Sequence, residues 1–126
     1  IGYNMFLEVK RTPMLYLQHK DMDGNFITLI TSTLRINLGL VAECSVYSIK
    51  EERIRQTLDG NNITVPVGTH VIHFEMSYTH STHKHQRGLP TEHTINERYY
   101  YKLIFFPGAD SEFARIKDVL DRNTLR

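Results

Sequence analysis

The stretch Arg98–Phe106 reads Arg-Tyr-Tyr-Tyr-Lys-Leu-Ile-Phe-Phe, and Pro107-Gly108 follows it directly. Its apolar and aromatic residues occupy both sets of alternating positions, which is typical of a central strand covered on both faces. Proline and glycine together end such a strand. We therefore predict that Arg98–Phe106 lies in the middle of a sheet.

An amphipathic helix is predicted next, near 110–123. Asp110 or Ser111 fits the N-cap position, where a side-chain oxygen accepts from a backbone N–H group. The apolar residues recur at helical spacing on one side: Phe113, Ile116, Val119 and Leu120. Such a stripe covers one face of a sheet.

Alternating or β-rich patterns upstream predict six further strands. They cover residues 4–11, 14–19, 26–38, 40–47, 63–67 and 69–79. Asp23-Gly24 supplies the positive φ angles of a type I′ turn and predicts a hairpin between the second and third of them.

Two segments of this sequence lack a clear strand pattern. Ser48 and Glu51 fit a capping box, which predicts a short helix over 48–58, with a continued strand as the alternative. Residues 80–96 hold four histidines, Gly88 and Pro90 but few aliphatic side chains, which predicts a long exposed loop. The predicted fold is therefore α+β and mainly β, with about seven antiparallel strands in a curled sheet or partly open barrel.

Composition places the chain among ordinary globular domains. It has 126 residues, the size of one domain, and 15 basic against 14 acidic side chains give a net charge of +1. Its single cysteine, Cys44, lies in an apolar run and is interpreted as a small buried hydrophobe. No apolar run is long enough to span a membrane, which favours an intracellular location. Because the chain begins with Ile1, we expect a single domain excised from a longer protein.

The order of the predicted elements resembles the pleckstrin-homology-like superfold, which includes the phosphotyrosine-binding and EVH1 branches. The resemblance spans nearly the whole chain and implies a bent sheet plugged by the last helix. The chain contains no tryptophan, so Phe113 would take the packing role that a tryptophan often has in that helix. A polo-box-like α+β domain is the alternative fold.

This resemblance implies a non-enzymatic module that binds a protein or peptide, including a second copy of itself, without a cofactor. Strand addition to a sheet edge is the usual mode. The candidate contact residues are Arg35, Asn37, Ile63, Val65, Lys84 and Arg87. Lys10, Arg11 and Lys20 form only a thin basic cluster beside Asp21 and Asp23, so phosphoinositide binding is disfavoured.

The alternative function is a site in the region 73–98. Metal binding would use the histidines His80, His83, His85 and His93, although their spacing matches no known structural zinc site. An acid–base row of His73, Glu75 and Ser77 is interpreted instead as the polar face of a strand. Nucleic-acid binding through Lys84, Arg87 and Arg98 is not favoured, because the neighbouring tyrosines belong to a strand expected to be buried.

Overall fold

A computed structural model describes residues 5–19, 26–85 and 92–123, and the side chains of these residues outside 80–95. Within these ranges lie nine strands, a short 3-10 helix at Leu38–Leu40 and one α-helix. The strands are β1 (Phe6–Val9), β2 (Leu15–His19), β3 (Phe26–Leu29), β4 (Leu34–Asn37), β5 (Val41–Ser48), β6 (Arg53–Thr57), β7 (Asn62–Val65), β8 (His70–His85) and β9 (Glu92–Phe105). The helix α1 spans Asp110–Arg122.

The strands form two sheets. Seven lie in the order β5-β8-β9-β2-β3-β6-β7, and β1 pairs with β4 alone. All neighbours are antiparallel except β3 and β6, which are parallel. The prediction of a mainly β domain closed by a helix is confirmed, but its seven antiparallel strands become nine in a mixed arrangement. The predicted strand 26–38 divides because its first half joins the large sheet while its second half pairs with β1.

The two ends of the large sheet, β5 and β7, do not pair with each other, so the described strands do not close a barrel. The predicted hairpin at 14–30 is confirmed in its pairing, since Tyr16 lies opposite Leu29 and Leu17 opposite Thr28. Its Asp23-Gly24 turn lies outside the described residues.

The end of β9, from Leu103 to Phe105, has both faces buried, as predicted. Leu103 and Phe105 belong to one core cluster together with residues of β1, β4, β8 and α1. Ile104 and Phe106, the residue after β9, belong to a second cluster on the other face, with Ile27 and Val65. The helix thus covers one face of the sheet, and residues of β3 and β7 cover part of the other.

The helix α1 packs much as its apolar stripe predicts. Ile116 and Leu120 are buried, and Phe113 stacks on His70 with ring centroids 4.2 Å apart. The Phe113 ring also meets Phe105 edge-on at 5.3 Å, so Phe113 packs against the sheet. The predicted cap is wrong: Ala109 is the N-cap residue and no side chain caps this end.

The predicted short helix over 48–58 is also wrong. Ser48 ends β5, and its hydroxyl lies 2.9 Å from Nδ1 of His70 instead of capping a helix. Residues 53–57 form β6, which pairs with β3 on one edge and β7 on the other. Hydrogen bonds to two neighbouring strands outweigh the weak helical preference of a segment with only a thin apolar stripe. Asp59-Gly60 lies in the β6–β7 turn, where Gly60 has a φ of 90°.

The predicted exposed loop at 80–96 is wrong for the part of it that the structure describes. The backbone of 80–85 pairs antiparallel with 92–97, from Thr79–Arg98 out to His85–Glu92. The two strands therefore continue as a ribbon beyond the positions where β5 and β2 pair with them. The polar sequence of this stretch resembles a loop because it lacks the apolar alternation of a strand packed on a core.

Candidate ligand-binding site: a basic cavity beside a free strand edge

The strand β6 carries Arg53 and Arg55 on one face, with Arg53 exposed and Arg55 half-buried. Arg53 lies directly opposite Val65 on β7, and Arg55 lies opposite Ile63, so each pair shares one face of the hairpin. That face points into the molecule, because Val65 is only 4% exposed. Ile54 lies between the two arginines on the other face and is 65% exposed. This polarity is the reverse of what burial alone would produce.

A third cation approaches the same space from the central strand. Lys102 on β9 lies between Gln18 of β2 and His73 of β8 in one row across the sheet. Burial lowers the pKa of the Lys102 ammonium, and the positive charge of Arg55 lowers it further. The Lys102 Nζ atom is 5.7 Å from the centroid of the Tyr100 ring.

These cations line a cavity of about 40 Å³, which we call the basic cavity. Its polar lining consists of Arg53, Arg55, Lys102, Gln18 and Tyr47. Its apolar walls are formed by Ile49, Val65, Val71 and Ile104. Burial raises the pKa of the Tyr47 phenol, while the positive charges of Arg53 and Arg55 partly oppose the increase. The phenol therefore stays protonated within the electrostatic field of both arginines.

No carboxylate in the part of the chain with described side chains neutralises this cavity. The ion pairs there join Glu8 to Arg35, Glu112 to Arg115, Lys117 to Asp121 and Asp118 to Arg122. None of the three cavity cations has such a partner within 4.0 Å. Three like charges close together without a counter-charge leave a locally positive potential that attracts an anion.

The edge strand β5 borders the basic cavity. Within the described strands it pairs only with β8, so its outer row of N–H and C=O groups is open. Val46 and Tyr47 are 43% and 41% exposed and point to opposite faces of the sheet. Tyr47 lines the cavity on one face, whereas Val46 lies opposite Ile72 on the helix-covered face. A ligand at this edge would meet the cavity on one side only.

The contact residues predicted from sequence fall in different places. Arg35 is exposed on β4 with Glu8 at 4.0 Å, and the Asn37 side chain accepts a hydrogen bond from the N–H of Gly39 at 3.0 Å. The strand β7 lies at a sheet edge as predicted, but Ile63 and Val65 pack towards the second core cluster. The side chain of Lys84 lies outside the described residues, as does all of Arg87.

The alternative sites show no catalytic arrangement among the described side chains. Burial, followed by the positive charge of Lys102, lowers the pKa of His73, while Glu75 opposes this. Burial raises the pKa of the Cys44 thiol to about 11, so this cysteine is protonated and unreactive at neutral pH. No metal-binding group of three or more ligands occurs where side chains are described, and the side chains of His80, His83, His85 and His93 lie outside that part.

Sequence reasoning missed Arg53, Arg55, Lys102 and Tyr47 as members of one site. A local signal was present, because Arg53-Ile54-Arg55 alternates charged and apolar residues with the period of a strand. Which of its two faces points inward depends on the pairing with β7, which the segment itself does not encode.

Comparison with known proteins finds no matching family model, no matching curated protein and no matching solved structure. Among the described residues, no helix is both long and apolar enough to cross a membrane.

Proposed function

We propose that this chain is a non-enzymatic interaction module that binds an extended segment of a partner protein by strand addition to β5. The observation that carries the proposal is the open outer edge of this strand. An unpaired edge offers a ready row of hydrogen-bonding groups to an incoming strand.

The two ends of the large sheet differ in how they are protected. Natural edge strands usually avoid pairing by being short or by carrying charges, prolines or bulges. The strand β7 is four residues long and is followed by Pro66. The strand β5 has eight residues, its register shift lies near its start at Val41–Glu43, and Cys44–Ser48 contains no charge and no proline. This contrast favours β5 as the binding edge.

The end of β5 is held firmly by the core. Ser48 lies opposite His70, to which its hydroxyl is bonded, and the His70 ring stacks on Phe113 of α1. A rigid edge reduces the entropy lost when a peptide is ordered against it. Residues 43–48 pair regularly with β8 and so present a straight template to a partner.

The test begins with a random dodecapeptide library displayed on phage and selected on the purified protein. Amide hydrogen exchange is then measured with and without a selected peptide. We expect slower exchange at residues 43–48, because added strand pairing protects outward-pointing N–H groups. Failure to enrich any peptide, or protection confined to other strands, would contradict strand addition at β5.

Ser45→Pro and Val46→Pro provide a matched pair of variants. Successive N–H groups of a strand point to opposite edges, so one proline removes a bond to β8 and lowers the melting temperature, while the other removes only an outward N–H group. We expect the variant with the preserved melting temperature to bind selected peptides at least tenfold more weakly. Equal binding by that variant would count against the proposal. Sedimentation velocity measures whether the purified protein forms a dimer. If it does, and if the proline variant that keeps its melting temperature abolishes the dimer, the segment that pairs with β5 belongs to a second copy of this chain and not to another protein.

A further inference from the structure

The basic cavity gathers positive charge from two strands. Arg53 and Arg55 of β6 both line it, Arg53 exposed and Arg55 half-buried, while the apolar Ile54 between them faces away. Lys102 adds a third positive charge from the opposite wall, and none of these groups has a carboxylate partner among the described side chains. An incoming anion would relieve the repulsion among all three.

We infer that the basic cavity receives an acidic group, a carboxylate or a phosphate, carried by the segment that adds to β5. The inference rests on the proposed function in one respect, because the added segment delivers the anion. It goes further in naming the chemistry that the partner must present and the three cations that recognise it.

The donors in the cavity suit an oxyanion. The planar guanidinium groups of Arg53 and Arg55 present paired N–H donors that match a carboxylate or phosphate, and Lys102 supplies a compact charge. Tyr47 adds a hydroxyl group that stays protonated because burial raises its pKa. Gln18 also lines the cavity, with its side chain hydrogen-bonded to Tyr100. These are the groups from which charge-assisted hydrogen bonds are built.

The size of the cavity limits what enters it. A cavity of about 40 Å³ holds a few atoms, since a single water molecule needs roughly 10–15 Å³ on the same measure. Sites that enclose a whole small ligand have volumes of roughly 300–1,000 Å³. The cavity therefore fits the end of a side chain but not a nucleobase or a free cofactor.

Its position explains how an added strand would reach it. Tyr47 belongs to β5 and lines the cavity directly. The residue opposite Tyr47 on a newly paired strand would have its Cβ atom about 4.5–5.5 Å from that of Tyr47 and on the same face. An aspartate, glutamate or phosphoserine at that point, or two residues away along the same face, would extend towards Arg53 and Arg55.

The experiment repeats the peptide selection on the wild type and on Arg55→Gln, with Arg122→Gln as the control. Arg122 lies on the exposed side of α1, where it pairs with Asp118 at 3.0 Å. We expect an acidic residue at one fixed position in peptides selected on the wild type and on the control, and no such preference on Arg55→Gln. Replacing that acid by its amide should weaken binding to the wild type at least tenfold, and to Arg55→Gln less than twofold. Melting curves of Arg55→Gln and Arg122→Gln check that both variants are folded.

The outcomes separate this inference from the proposed function. Peptides that protect β5 but show no acidic preference overturn the inference and leave strand addition standing. Acid-dependent binding without protection of β5 overturns strand addition as the mode of delivery. Comparing the affinities of one peptide made with glutamate or with phosphoserine at the fixed position shows whether the cavity prefers a carboxylate or a phosphate. Inorganic phosphate should compete with the peptide only if the cavity recognises the oxyanion itself. Salt-dependent binding of a twenty-nucleotide oligothymidine that Arg55→Gln abolishes, with no acidic peptide selected, would replace the peptide by nucleic acid.

Discussion

At the scale of single residues, Glu112 ties the start of α1 to β1. Its carboxylate accepts hydrogen bonds from Arg115 at 2.7 Å and from the backbone N–H of Lys10 at 2.8 Å. Arg115 in turn donates to the carbonyl oxygen of Glu8 at 2.6 Å. The Glu112 residue is only 7% exposed, whereas the Arg115 side chain that pairs with it is 36% exposed.

Glu112→Ala should lower the free energy of unfolding by about 1–3 kcal/mol, because it leaves the part-buried N–H group of Lys10 and the Arg115 guanidinium without their acceptor. The measurement is urea denaturation at pH 7. Asp118→Ala is the control, since its ion pair with Arg122 is exposed and contributes at most about 0.5 kcal/mol. Equal effects of the two substitutions would show that the Glu112 network adds nothing to stability.

His73 should make stability depend on pH. Burial and the charge of Lys102 lower the pKa of His73 in the folded chain below the ordinary 6.5, while the negative charge of Glu75 opposes this decrease. The His73 ring also contacts the Tyr100 ring in an edge-to-face arrangement. Between the folded pKa and 6.5 the unfolded chain binds a proton that the folded chain does not, so stability decreases as pH falls through this window.

Melting temperatures of the wild type and His73→Gln between pH 7.5 and pH 5 test this effect. We expect the wild type to lose more stability than His73→Gln as the pH falls. The remaining histidines are shared by both proteins and cancel in the comparison. Parallel curves would contradict a lowered pKa for His73.

At the scale of elements, α1 is the best case for local reasoning. Its apolar stripe, with Ile116 and Leu120 buried and Phe113 against His70 and Phe105, follows directly from residue spacing. The element β6 is the opposite case. The sequence of β6 is compatible with a helix that has a thin apolar stripe and also with a strand of alternating residues. The strand forms because this segment pairs with β3 and β7.

Ile116→Ala should cost about 2–5 kcal/mol, because it leaves a cavity where α1 packs on the sheet. Val119→Ala is the matched control, since Val119 is only partly buried against the same cluster and should cost less. Chemical denaturation compares the two. An equal or smaller loss for Ile116→Ala would mean that the helix does not seal the core as its burial indicates.

At the scale of the whole molecule, the sheet order brings distant residues together. The strands β2, β5, β6 and β9 each contribute a polar side chain to the lining of the basic cavity. These residues are far apart in the chain, from Gln18 to Lys102. The parallel pairing of β3 with β6 folds the β6–β7 hairpin over the face opposite α1. The order of the strands therefore creates the cavity. Its positive charge comes from Arg53 and Arg55, which the pairing with β7 places on the cavity side, and from Lys102 on the central strand.

The same scale explains why the polar region 80–96 was misjudged. A strand is recognised from sequence by one apolar face, but beyond Thr79 no third strand among the described residues pairs with β8 or β9. The antiparallel pairing of the two backbones does not itself require an apolar face. Composition therefore indicated a loop, although the pairing is continuous.

The amino-acid sequence by itself determined the features that depend on neighbours in the chain. These are the doubly buried strand ending at Phe105, the helix after Gly108 with its apolar stripe, and the alternation in β1 and β8. Each of these features can be predicted because apolar residues recur along the segment with the spacing of a helix or of a strand. Only the tertiary structure decided that residues 53–57 are a strand, that Arg53 and Arg55 line the basic cavity, and that β5 is left at an open edge. Those features depend on which strand pairs with which, and pairing partners far apart in the chain leave no periodic trace in either segment.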